Sequence, residues 1–128
     1  MPKPVRPTTA ELAILRVLWA AGPSTVRQVH DTLRAERTVG YTTTLKTIQV
    51  MTEKGITIRE DRAGQHIYRP SHSEDDTQRR LVDDLVDRAF GGSLSKLVMQ
   101  ALATRRASPE ELREIRRLLT TRKERDRA

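Results

Sequence analysis

Between Tyr41 and Lys54 the chain reads Tyr-Thr-Thr-Thr-Leu-Lys-Thr-Ile-Gln-Val-Met-Thr-Glu-Lys. Wound as a helix, this stretch puts Thr44, Ile48 and Met51 on one face and Thr42, Thr43, Leu45, Lys46, Gln49 and Val50 on the other. The second set has a definite chemistry. Short hydroxyls beside the free amides of a helix start suit phosphate oxygens. Threonine methyls pack on thymine methyls, an ammonium reaches a guanine edge or a phosphate, and a carboxamide pairs with adenine. An ordinary amphipathic helix that uses threonine for β-branched packing fits the segment equally well. The next stretch of chain tips the balance, because Arg59, Arg62, Gln65 and His66 would project from a hairpin able to straddle a minor groove. Contacts of that kind position a protein on a duplex and weaken with salt; a solvated basic hairpin is the plainer reading.

Composition points the same way. The chain has 128 residues, 24 Lys plus Arg against 17 Asp plus Glu, a net charge of +7 and a pI near 10.5. Residues 1–73 carry 11 basic and 6 acidic side chains, whereas residues 74–128 carry 13 and 11. The basic excess lies mainly in the first half, favouring a polyanionic partner there and solvated helices in the second. With no cysteine, disulfides, thiolate metal sites and cysteine nucleophiles are excluded. Nothing approaches a membrane span of ~20 apolar residues, and the opening Met-Pro-Lys-Pro-Val-Arg-Pro does not read as a secretory signal. A cytoplasmic protein without membrane insertion is the simplest reading.

The elements that must position these residues are well punctuated. Thr8-Thr9-Ala10-Glu11 and Thr25-Val26-Arg27-Gln28 are capping boxes. The first opens a helix with Leu12, Leu15, Leu18 and Trp19 at helical spacing, widened by Ile14 and Val17 and stopped at Gly22-Pro23. The second opens one with Val26, Val29 and Leu33 on a face. A third runs from about Thr42 to Lys54, ended by Gly55 at C′. The period then changes to two over Ile56–Glu60, turns at Asp61-Arg62-Ala63-Gly64, alternates again over Gln65–Arg69 and stops at Pro70. Three helices and a hairpin make a winged helix-turn-helix, assigned to residues 1–72.

Residues 73–128 read as a helical dimerisation domain. Helices are expected from Ser73, around Leu94–Leu102, and from Ser108-Pro109-Glu110-Glu111. Leu81, Leu85, Ala89 and Phe90 line the first, Leu97 and Val98 the second, and Leu112, Ile115, Leu118 and Leu119 the third. Such stripes need cover, worth ~25 cal/mol per Å2 buried, and a second copy in isologous pairing supplies it economically. The fold class is mainly α with a small β-hairpin.

Other residues carry plainer expectations. His30, His66 and His72 sit in separate elements without metal-ligand spacing, so no metal or cofactor is expected. Gly91-Gly92 lacks the Lys-Ser/Thr of a phosphate loop, and Asp83, Asp84 and Asp87, mixed with Arg80 and Arg88, read as a surface ion-pair face. Trp19 reads as core, and the tail from Arg122 to Arg127 as a frayed, solvated end. No nucleophile–base pair or cofactor fingerprint supports an enzyme.

The runs "AELAILRVLWAAGPSTVRQVHDTL", "GYTTTLKTIQVMTEKGI", "GQHIYRP" and "LVDDLVDRAFGGS", in order from about residue 8 to residue 119, resemble the penicillinase-repressor family of the BlaI/MecI type. The resemblance implies repression of transcription by a homodimer at palindromic operators similar to TACA…TGTA. It implies two departures as well. Val50 stands where such recognition helices commonly carry an arginine, five residues before the closing glycine, so one contact to backbone or base is missing. Gln100-Ala101 stands where the β-lactam-responsive members have the Asn–aromatic bond cut by a regulatory protease, so that switch is not carried over unchanged. The copper-sensing relatives use C-terminal cysteines, absent here. A winged helix used for protein contacts, without sequence-specific DNA binding, is the alternative, and the basic first half speaks against it.

Overall fold

A computed structural model of the chain describes residues 6–127; the reading of Met1–Val5 as part of a segment without a secretory core lies outside them. The order is α1 (Thr9–Ala21), α2 (Val26–Arg34), α3 (Tyr41–Glu53), β1 (Thr57–Arg62), β2 (Gln65–Pro70), α4 (Glu74–Ala89), α5 (Leu94–Thr104) and α6 (Pro109–Arg127). The chain divides into two compact units, with the division between Val82 and Asp83, inside α4.

Both expected capping boxes form. Thr8 Oγ1 accepts from the Glu11 amide at 3.2 Å and Glu11 Oε1 from the Thr8 amide at 2.8 Å, and Thr25 and Gln28 repeat the pair at the same distances. Each cap is worth about 1 kcal/mol. α3 closes as its glycine requires. Gly55 takes φ +79°, the Ile56 amide donates to the Met51 carbonyl at 2.8 Å and the Gly55 amide to Thr52 at 3.1 Å, a Schellman motif. Its hydrophobic contact is in place too, since Met51 and Ile56 are both in the core.

β1 and β2 pair antiparallel from Thr57↔Pro70 to Arg62↔Gln65. The turn is therefore tighter than the four residues expected. Asp61 and Arg62 stay in the strand, opposite His66 and Gln65, and only Ala63 (φ +50°) and Gly64 (φ +78°) turn. Positive φ at both central positions matches the right-handed twist of a two-residue hairpin. Pro70 is the last paired residue rather than the first beyond the ladder. Ser24, in the α1–α2 connection, exchanges two backbone bonds with Tyr68 at 3.0 and 2.8 Å and so ties the hairpin to the helices.

The core of the first unit collects Ile14, Leu15 and Leu18 of α1, Val26, Val29 and Leu33 of α2, Ile48 and Met51 of α3, then Ile56 and Tyr68. Leu12, Val17, Trp19, Val39 and Leu45 pack partly buried around it. Trp19 also donates its Nε1–H to the His72 carbonyl at 3.1 Å, a bond the pattern of apolar residues did not reveal.

Ser73, Ser93 and Ser108 accept from the amides of Asp76, Lys96 and Glu111 and start α4, α5 and α6. The expectation of a frayed end is corrected: α6 continues through Arg127, with exposed pairs such as Arg122–Asp126 along it. Apolar residues of α4–α6 lie open in the single chain, Leu85 at 48%, Val98 at 40%, Leu112 at 41%, Leu118 at 58% and Leu119 at 66% exposure. Ala89 is exposed too, while Leu81, Phe90, Leu97 and Ile115 are half-buried. Gln100 and Ala101 lie inside α5.

Candidate nucleic-acid interface

α3 is anchored by one face. Thr44, Ile48 and Met51 are at most 1% exposed, so the helix cannot rotate without emptying the core. The anchoring fixes what the opposite face presents. Thr42, Thr43, Lys46, Gln49 and Val50 are exposed, and Leu45 is half-buried at the core's edge. The start of α3 differs from those of α1 and α2. Its N-cap is Gly40, which has no side chain to cap with, so the first amides of α3 receive no side-chain bond.

Beside this face runs an open groove bounded by Arg27 of α2, by Tyr41, Leu45 and Gln49 of α3, and by Arg59, Gln65 and His66 of the hairpin. It brings together five of the residues singled out from sequence: Leu45, Gln49, Arg59, Gln65 and His66. Thr42, Thr43 and Lys46 do not line it and lie on the exposed side of α3. Arg62 is the last residue of β1, at the turn, and lies outside the groove as well.

The hairpin's charges are not free. Arg59 pairs with Asp61 at 3.7 Å, Arg62 with Glu60 at 3.0 Å, Arg69 with Glu60 at 2.7 Å, and His66 Nδ1 lies 2.5 Å from Asp61. The bond from Arg69, joined by Arg62, holds the Glu60 carboxyl below its ordinary range. The bond with His66, joined by the charge of Arg59, does the same for Asp61. All these groups face solvent, so the pairs are individually weak and exchangeable. Lys54, by contrast, is committed to structure, its Nζ lying 3.0 Å from the buried Glu11 carboxylate.

Two groove residues were missed from sequence. Arg27 lies in the first turn of α2, with its guanidinium 4.3 Å from the centroid of the Tyr41 ring. Tyr41 meets His30 edge-on at 5.5 Å and 87°, and buried His30 hydrogen-bonds Thr44 Oγ1 at 3.2 Å. An arginine at the second position of a capped helix looks like a solvated charge; only the packing of α2 on α3 supplies its ring.

A helix with one buried and one open polar face, a hairpin fastened beside it and a groove between them form the frame of a winged helix. The model of the penicillinase repressor family matches residues 7–121. The chain belongs to the penicillinase repressor family. Two relatives from Mycobacterium tuberculosis, strains CDC 1551/Oshkosh and H37Rv, are each called transcriptional regulator BlaI and are 38% identical over 92 residues. The match covers 70% of this chain and spans 65% of the length of those relatives. In this member of the penicillinase repressor family, Val50 is 42% exposed on the open side of α3, an apolar side chain among polar ones. Among the described residues no group of three or more His, Asp or Glu is placed to hold a metal ion, and no helix is long and apolar enough to cross a membrane.

Proposed function

We propose that this penicillinase repressor family chain represses transcription by binding operator DNA as a homodimer. The observation that carries the proposal is the open polar face of α3, held rigid by Thr44, Ile48 and Met51 and flanked by the hairpin across one groove. On this reading α3 enters the major groove. Thr42 and Thr43 meet phosphate beside uncapped amides, Lys46 meets a phosphate or guanine, and Gln49 and Leu45 meet base edges. Arg59, Arg62 and His66 track the neighbouring backbone, exchanging their carboxylate partners for phosphate. On this reading residues 1–72 serve DNA binding and residues 73–128 serve pairing, a functional boundary at the start of α4 rather than at the Val82–Asp83 division of the compact units. The open apolar residues of α4, α5 and α6 cover one another between two copies, which sets two half-sites about 34–36 Å apart, one helical turn. Cleavage at Gln100-Ala101 would first require α5 to unwind there, because that bond lies inside the helix.

Fluorescence anisotropy on a duplex selected by the wild-type chain from a random-sequence library tests this reading. Lys46→Ala is expected to weaken binding and to lower the slope of log K against log salt by about one. Gln49→Ala is expected to relax one base preference, worth roughly 1–3 kcal/mol. No selected duplex, or binding indifferent to Lys46→Ala and Arg62→Ala, overturns the docking.

A further inference from the structure

We propose that Arg27 is a phosphate-clamping residue of the interface, held in place by Tyr41, and that it positions α3 on DNA without reading sequence. The inference rests on the repressor reading and extends it to a residue outside the recognition helix and the hairpin, Arg27 of α2.

The arrangement is continuous from surface to core. The guanidinium of Arg27 lies over the Tyr41 ring at 4.3 Å. Tyr41 stands edge-on against His30 at 5.5 Å. His30 is 5% exposed and bonded to Thr44 Oγ1, and Thr44 is 1% exposed on the anchored face of α3. The Arg27 side chain is therefore located relative to α3 even though α2 carries it. A cation–π contact takes up none of the guanidinium's N–H donors in an ion pair, which leaves them for a planar bidentate acceptor. A phosphodiester is such an acceptor.

The contrast with the hairpin is what singles Arg27 out. Arg59 and Arg62 are paired with Asp61 and Glu60, so engaging phosphate there means giving up an ion pair. The partner of Arg27 is a neutral ring on the same groove as Gln49 and Arg59. A phosphate on those donors adds to the cation–π contact instead of competing with it. Because Arg27 belongs to α2 and is fixed on Tyr41, it meets the same backbone whatever bases α3 faces. Its contribution is equal for all sequences.

The test measures binding of the wild-type chain and of Arg27→Ala, Arg27→Gln, Tyr41→Phe and Tyr41→Leu over a range of salt. Two duplexes are used, one selected from the random-sequence library and one scrambled, and thermal melting reports the fold of each variant. Both Arg27 variants are expected to lose affinity on the order of tenfold on both duplexes and to lower the salt slope by about one. Tyr41→Phe keeps the ring and retains binding, whereas Tyr41→Leu lowers affinity with its Tm intact. A methylphosphonate at one backbone position weakens the wild-type chain but not Arg27→Ala. An unchanged salt slope in both Arg27 variants, a loss confined to the selected duplex, or equal binding by Tyr41→Leu overturns the clamp while the repressor reading stands. Failure of the wild-type chain to hold any duplex overturns both.

Discussion

Glu11 serves two structures at once, closing the capping box of α1 and receiving Lys54 from the end of α3. Burial alone would raise its pKa, but the Thr8 amide and the Lys54 ammonium outweigh it and hold the carboxyl below its ordinary value. A carboxyl depressed in the folded state adds stability that is full above its unfolded pKa of about 4.3 and is lost as pH falls through the folded value. Glu11→Gln keeps an acceptor for Thr8 and removes the charge. It is expected to cost about 1–2 kcal/mol near pH 7, with the Tm gap to wild type closing as pH falls below about 4. A gap of constant size from pH 7 to pH 3 would contradict the ion pair. Sequence showed Glu11 as a cap and not as a buried charge, because a partner 43 positions away is invisible to local spacing.

The starts of α1 and α2 and the stop of α3 obey local rules that the neighbouring elements then use. Thr25 fixes where α2 begins, and so places Arg27 opposite Tyr41. Thr25→Ala is expected to lower stability by about 1 kcal/mol, read as a lower urea midpoint with an unchanged m-value. The hairpin depends on Gly64 at φ +78°, where a Cβ would meet no atom within 4 Å but would sit in a left-handed backbone. Gly64→Val is therefore expected to destabilise through the turn rather than through a clash, by roughly 1–2 kcal/mol. The two strands were legible from Ile56 to Arg69, but the face β1 buries was not: Thr57 goes inward at 1% exposure and Ile58 outward at 38%. The two-residue turn was not legible either, because Asp61 is a turn former by type, yet it and Arg62 are held in the ladder by pairing with His66 and Gln65.

At the scale of the molecule the two units have opposite characters. The first buries a shared core of three helices and a hairpin, and the described part of the second exposes leucines along α5 and α6. An apolar surface of that kind is satisfied by a copy of itself under the proposed pairing. Leu118→Asp is expected to raise the dimer dissociation constant by at least tenfold in sedimentation equilibrium, since a carboxylate would lie in the apolar seam. It should weaken binding to the full palindrome far more than to a half-site. A wild-type chain that remains monomeric at tens of micromolar would remove the pairing, while leaving the winged unit's own docking to be measured on half-sites.

The sequence by itself determined the elements and, for α1, α2 and α3, the faces they bury. Capping residues, a C′ glycine and a switch in hydrophobic period act within a few positions of one another, and those distances survive any tertiary arrangement. It likewise determined which face of α3 goes inward, because Thr44, Ile48 and Met51 recur at the helical period. Only the tertiary structure decided which charges were already engaged. Glu11 holds Lys54, Glu60 and Asp61 hold the hairpin's arginines, and Tyr41 holds Arg27. Such pairs arise from where the folded backbone places side chains in space, so a net charge of +7 could point toward an anionic partner without saying which cations carry the contact.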